Sequence, residues 1–280
     1  MKARVSALLI TALAAAFCAA EAGAAVDKDF AIAMAFDEGE GETAKDYSSH
    51  ENHGTLKGNV SWGVGRFGNA VKIERHGYVD AGDDRSLKLY KSDFTLAAWV
   101  NMNETLFGHR HAFIARDEGP GLFNKWIIGY SLHGNPTFNF RTVAGDGDGG
   151  AVSNRIYPSE VQSKTWHQIA LVRRRFDHGA REEHKIFLNG EKIAQGTRMS
   201  DRPDDFIPRF NDAPVTIGFA EEDIWLDGLI DEVLIATRAL SDDEITAHFQ
   251  GGIKRGLGLA VQPEGTSAAA WGAIKAQMLR

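Results

Sequence analysis

Cysteine is almost absent. Cys18 is the only one in 280 residues, so no disulfide can form within the chain. Proline is scarce at 7 against 30 glycines, and the glycines follow no triplet repeat. That excludes proline-rich and collagen-like architectures and points to many tight turns. Positive charge is in deficit, with 31 Lys+Arg against 38 Asp+Glu and a net charge of −7. This balance argues against nucleic acid as a partner, because phosphates need a basic face. With 43% apolar residues the chain can build a core, which excludes disorder as its main state. The sequence has no internal repeat at a fixed period and no G-x-S-x-G, Walker A or H-E-x-x-H pattern.

The N-terminal segment has a distinct design. Lys2 and Arg4 precede a nearly continuous apolar run from Val5 to Phe17, and Ala22-Gly23-Ala24 offers small residues for cleavage. The pattern predicts a signal peptide over residues 1–24. The apolar run is short of the roughly 20 residues a membrane span needs. The expected location is therefore secreted, extracellular or periplasmic, with no membrane span after cleavage. Removal of Lys2, Arg4 and Glu21 leaves a mature net charge of −8, and Cys18 is lost as well. An exported chain without disulfides must draw its stability from core size or bound ions.

From Val26 on, the chain reads as β-structure. Phe30 to Phe36 carries large apolar residues at every second position, the period of a strand. Further runs are predicted at 69–73, 78–81, 94–100, 111–115, 126–132, 137–141, 166–172, 185–188, 215–219 and 226–235. Asn189-Gly190, between two such runs, predicts a two-residue hairpin turn. One helix is expected after Ser241, where Glu244 completes a capping box and Gly251-Gly252 ends the pattern. The texture then turns to Gly, Ala and polar residues. A linker with a short tail is expected over 251–280, in which Trp271 to Leu279 could form a short amphipathic helix. The domain is thus expected over 25–250.

Several ordered motifs together resemble one family. They are Phe36-Asp37-Glu38-Gly39-Glu40-Gly41, Asp46-Tyr47-Ser48 with Asn52-His53-Gly54, Phe67-Gly68-Asn69-Ala70-Val71 and Phe94 to Val100. Trp166 to Val172, Lys185 to Gly190, Ile230-Asp231-Glu232-Val233 and Arg238-Ala239-Leu240-Ser241 with Glu244-Ile245 follow. The chain resembles the LamG-like jelly-roll domains of the concanavalin A-like lectin and glucanase superfamily over about residues 30 to 250. The resemblance implies an all-β fold: a two-sheet antiparallel jelly-roll sandwich with one short helix near the end of the domain. It also implies a structural calcium held by Asp37 and Asp231, with a backbone oxygen from a turn such as Gly77. Asp46 and Asn52 are further candidates. The alternative for Asp37 and Asp231 is that they are turn-forming or hydrogen-bonded surface acids.

Fold does not fix function in this superfamily, so the site residues must decide. Retaining glycosidases need two carboxylates at a set separation. The nearest stretch, Glu221-Glu222-Asp223-Ile224-Trp225-Leu226-Asp227, puts Trp225 where a third alternating carboxylate should stand. No catalytic residue is assigned. Sugars stack on exposed aromatic faces flanked by polar groups. Trp126, Trp225, Trp99 and Tyr130 are the ring candidates, with Arg116 and Arg141 as polar neighbours. Trp99 alternates away from Phe94, Leu96, Ala98 and Val100 and should face outward from its sheet. The expected function is a secreted non-catalytic module that binds carbohydrate or an extracellular protein. The alternatives are a glycoside hydrolase relative with unrecognised carboxylates, or a purely structural surface module. If the N-terminal reading is right, mass spectrometry of the exported product shows a start near Ala25; a soluble product retaining Met1 contradicts it.

Overall fold

The computed structural model describes residues 28–258 apart from 90–91, 105–109, 118–124, 134, 144–151, 157–160, 178–180, 200–211 and 221–223. For 125, 131–133, 135–143, 152–156 and 198–199 only the backbone is described. The segment 1–24, the expected tail helix Trp271 to Leu279 and Glu221 to Asp223 lie outside the described residues.

In chain order the strands are β1 (Phe30–Met34), β2 (Thr43–Ala44), β3 (Gly54–Lys57), β4 (Val60–Val64), β5 (Asn69–Ile73) and β6 (Tyr78–Asp80). Then come β7 (Phe94–Met102), β8 (Arg110–Arg116), β9 (Lys125–His133), β10 (Asn135–Val143), β11 (Val152–Ile156) and β12 (Trp166–Phe176). The last are β13 (Arg181–Leu188), β14 (Glu191–Met199), β15 (Val215–Ile217), β16 (Phe219–Ala220), β17 (Ile224–Trp225) and β18 (Gly228–Ala236), followed by helix α1 (Asp242–Gly251). One sheet has the order β14-β13-β12-β7-β18-β5-β4, with β1 also paired to β18. The other has the order β11-β10-β9-β8-β15-β6-β3-β2. β16 and β17 form a separate hairpin.

Alternation along the strands sorts side chains into three apolar layers. Phe94, Leu96, Ala98 and Val100 of β7 meet Phe113, Trp126, Ile128 and Tyr130 of the second sheet in the inter-sheet core. Ala97, Ala170, Val172, Phe187 and Leu234 point to the opposite side of the first sheet, where Ile245 and Ile253 cover them. On the outer side of the second sheet, Ala112, Ala115 and Ile127 pack against Ala220 and Ile224 of the β16–β17 hairpin.

The first and last strands lie side by side, with Met34 opposite Val233 and Ile32 opposite Ile235. β5 shares the same edge of β18 but covers only Gly228 to Ile230. Where one neighbour gives way to the other, β18 carries a bulge: Asp231 faces Trp99 and Leu234 faces Ala97, so two residues stand opposite one. Glu232 adopts φ 53° there. The extra residue sends both Asp231 and Glu232 to the outer side while Ile230 and Val233 stay in the inter-sheet core.

The hairpin and helix signals take the expected form. Asn189 and Gly190 both have positive φ, 52° and 80°, as a type I′ turn requires. A Cβ on Gly190 would also meet the ring of Phe249. At Ser241 the hydroxyl accepts from the Glu244 amide at 3.2 Å, and Glu244 Oε2 accepts from the Ser241 amide at 2.8 Å. Arg238 grips the same carboxylate at 3.0 and 2.6 Å and holds it well below the usual range, at about 2. Past α1 the outcome differs from composition. Residues 252–256, read as the start of a linker, continue as a π-helical turn that buries Ile253 completely.

His248 joins helix to sheet. Its Nε2 donates to the Glu232 carbonyl at 3.0 Å, and Nδ1 accepts from Gln168 Nε2 at 3.0 Å. Gln168 Oε1 in turn accepts from the Gly190 amide at 3.0 Å. Burial pushes the imidazole down to about 4, so it is neutral in the fold. An unfolded histidine titrates near 6.5. Stability from this group is therefore present above that value and is lost as pH falls from 6.5 through 4. Urea unfolding of wild type and His248→Gln should show the wild-type advantage shrinking by roughly 3 kcal/mol across that window. A pH-independent difference contradicts the neutral, doubly bonded imidazole.

Candidate ligand-binding face

Most of the expected ring candidates are inside the protein. Trp126 and Tyr130 share one face, as the alternation requires, but that face is the inter-sheet core, and they are 3% and 2% exposed. Arg116 is fully buried, with Nη1 donating to the Leu87 carbonyl at 3.3 Å. Trp99 does point out of its sheet, yet its ring is covered. Phe249 of α1 stacks on it at 5.3 Å, Phe67 meets it edge-on at 5.9 Å and the Arg66 guanidinium lies 4.8 Å away. These four side chains offer no free surface to a sugar, because the sandwich core and the helix claim them. Arg141 sits on β10, and its side chain lies outside the described residues.

Trp225 is different. In the β16–β17 hairpin Ala220 pairs with Ile224 and Phe219 pairs with Trp225. Ala220 and Ile224 turn down onto the second sheet and are nearly buried. Period two then turns Phe219 and Trp225 to the other side, where both are partly buried. The Leu226 amide closes the hairpin on the Gly218 carbonyl at 2.7 Å, and Thr216 Oγ1 donates to the Phe219 carbonyl at 2.8 Å.

Neighbouring rings extend this surface. Tyr78 of β6 lies 5.5 Å from Phe219, and His76 lies 5.4 Å from Trp225. The Arg75 guanidinium is 5.5 Å from the indole. Val79 points into the core, so Tyr78 and Asp80 belong to the outer side of the second sheet, as does Lys57 opposite Tyr78. The turn that presents Arg75 and His76 is anchored. Asn59 Nδ2 donates to the Arg75 carbonyl at 2.8 Å and the Glu74 amide to the Asn59 carbonyl at 3.0 Å. A Cβ on Gly77 would overlap that same carbonyl, so only glycine permits this approach. The result is an aromatic strip with cationic and carboxylate groups at its rim, beside a sheet face that α1 does not cover.

The residues implied for calcium form two separate arrangements. Asp46 accepts four hydrogen bonds, from the Ala33 amide (2.7 Å), the Ser48 amide (2.9 Å), Ser48 Oγ (2.6 Å) and the Asn52 amide (2.8 Å). Those fill the lone pairs of a carboxylate. Asn52 is spent as a donor to the Ala31 carbonyl at 2.8 Å and Ser86 Oγ at 2.9 Å. Asp231 is fully buried; Oδ2 accepts from the Arg66 and Phe67 amides at 2.9 and 3.0 Å, and Oδ1 from the Glu232 amide at 2.8 Å. Burial pushes it up to about 7 against those amides. Glu232 is pushed up to about 8, by burial first and the Asp231 charge second, although its Oε2 accepts from the Ile253 amide at 2.5 Å. Asp37 Oδ1 accepts from the Asn69 amide at 3.0 Å, and its Oδ2 is paired with the Lys254 ammonium.

This set does not fit a calcium ion, which takes six to eight oxygens. Three amides engage the two Asp231 oxygens, one amide each engages Asp37 Oδ1 and Glu232 Oε2, and the Lys254 ammonium on Asp37 Oδ2 stands where a cation would bind. Gly77 stands past the far end of β5 from Asn69, roughly 13 Å along a strand rising about 3.3 Å per residue. No group of three or more His, Cys, Asp or Glu side chains suited to a metal occurs among the described residues.

Sequence reasoning named Trp225 and missed Phe219, Tyr78, His76 and Arg75. Phe219-Ala220 and Ile224-Trp225 are strands of two residues each, too short to show a period in the sequence.

A two-sheet antiparallel sandwich with one short helix packed on the outer side of the first sheet defines a jelly-roll domain. The chain belongs to the concanavalin A-like lectin/glucanases superfamily, whose family model matches residues 74–246. No curated protein matches it in sequence. Among solved structures it is similar to domain 4 of AbnA, a GH43 extracellular arabinanase from Geobacillus stearothermophilus, in complex with arabinotriose. The identity is 18% and the TM-score 0.56, over 78% of this chain and 97% of that one. It is also similar to the binding domain of Paraclostridial Mosquitocidal Protein 1 (16%, TM-score 0.56, 79% of this chain and 52% of that one). A third likeness is to the binding domain of Botulinum Neurotoxin DC in complex with SialylT (11%, TM-score 0.55, 80% and 52%). The chain thus spans about half the length of the two toxin domains. At these identities the likeness establishes the fold.

Proposed function

We propose that this protein is an exported, non-catalytic module that binds carbohydrate on the outer face of its second sheet, with Trp225 as the principal stacking platform. The observation that carries the reading is the pairing of Phe219 with Trp225 on the side of the hairpin away from the core, next to Tyr78, His76 and Arg75. Ring faces take sugar C–H groups, while Arg75, Lys57 and Asp80 stand where hydroxyls or a carboxylate can be oriented. The similarity to an arabinanase domain in complex with arabinotriose and to toxin binding domains supports a binding role. No helix among the described residues is long and apolar enough to cross a membrane.

Acid–base hydrolysis needs two carboxylates open to one substrate. Asp231 and Glu232, the adjacent buried pair, are committed to amides beneath the C-terminal segment. An extracellular protein partner would use the same aromatic strip. A glycan array that includes arabino-oligosaccharides, followed by calorimetry on the best binder, tests the reading. Trp225→Ala should weaken that binding about tenfold or more, equivalent to about 1.4 kcal/mol, with the melting temperature little changed. Unchanged glycan binding in Trp225→Ala, or reducing-sugar release by the purified protein, contradicts it.

A further inference from the structure

We infer that the Lys254 ammonium supplies the cation at the corner where Asp37, Asp231 and Glu232 converge, so that this chain closes with its own side chain the place a divalent ion would take. The corner is built by topology. β5 leaves the edge of β18 after Ile230, β1 begins at Val233, and the bulge between them sends two carboxylates outward. Asp37, three residues past the end of β1, brings a third from the same edge and ties to the start of β5 through the Asn69 amide.

Buried carboxylates need hydrogen bonds and a counter-charge. Amides provide the first. Arg66 and Phe67 donate to Asp231, and Ile253 donates to Glu232. A Cβ on Gly252 would collide with the Glu232 carboxyl, which shows how closely the C-terminal backbone is laid on that group. The second comes from the next residue but one. Lys254 reaches Asp37 Oδ2 and stands 5.9 Å from the Tyr47 ring. Its charge also favours ionisation of Glu232 and Glu38, whereas Asp37 opposes it. No other lysine or arginine ion pair joins these three acids among the described residues.

The tether changes the behaviour of the site. A free ion can be withdrawn by a chelator, and stability then follows its concentration. An ammonium carried by the segment after α1 makes charge compensation and docking of that segment one event, independent of the calcium outside.

Thermal melting of the full-length mature protein tests this. Wild type should melt at the same temperature in millimolar calcium chloride and in excess EDTA, and calcium titrated into it should give no binding heat. Lys254→Met, which keeps the length and removes the charge, should melt lower in EDTA and regain stability on calcium addition. A second variant, Lys254→Met with Asp37→Asn, should lose that calcium response. Three results overturn the inference: wild type that melts lower in EDTA or binds calcium, Lys254→Met that melts like wild type, or Lys254→Met that ignores calcium. Should Lys254→Met fail to fold, the wild-type melting and titration decide alone.

Discussion

Two adjacent carboxylates, Asp231 and Glu232, leave the same face of β18 because one extra residue is inserted opposite β7. Neither can stay buried bare, and the outer layer of the first sheet is arranged around them. The turn before β5 folds in to offer the Arg66 and Phe67 amides. That turn then places Phe67 and Arg66 against Trp99, whose other contact is Phe249 of α1. After α1 the chain bends through a π-helical turn so that Ile253 can donate to Glu232, and His248 secures the Glu232 carbonyl. The apolar layer of Ala97, Phe187, Leu234, Ile245 and Ile253 fills in beneath. A polar requirement at one bulge thus decides where the helix and its extension lie.

The two outer faces have divided the work. The face of the first sheet is closed, so Trp99 serves packing. On the face of the second sheet the small β16–β17 hairpin is anchored through Ala220 and Ile224. A two-residue strand pair has just one outward pair to offer, and here it is Phe219 with Trp225. Rings from the β5–β6 turn and β6 continue it, held by the Asn59 contacts. The proposed binding surface therefore rests on a sheet and an anchored turn, which would lower the ordering cost a ligand must meet.

Much of this fold was legible in the sequence. The runs at Phe94, Trp166 and Lys185, the Asn189-Gly190 turn and the Ser241 capping box are local signals, and each appears where period or cap chemistry put it. Short strands such as β2, β16 and β17 were not legible, since two residues carry no period. Orientation was legible, but cover was not. Alternation correctly set Trp99 against Leu96 and Val100, and Trp126 with Ile128 and Tyr130, yet it cannot say which side of a sheet meets the other sheet or a helix. The calcium expectation came from resemblance alone. It could not anticipate that residues composed like a linker would return with Lys254 and a backbone amide to the very acids in question.

The central claim is that the segment after α1 is part of the domain because the bulge carboxylates hold it. Native-state hydrogen exchange reads this directly at one position, the Ile253 amide that donates to Glu232 Oε2. The account predicts that Ile253 exchanges only with global unfolding, at the same opening free energy as amides in the middle of β18. Exchange of Ile253 at the rate of an open loop, while β18 stays protected, would contradict it.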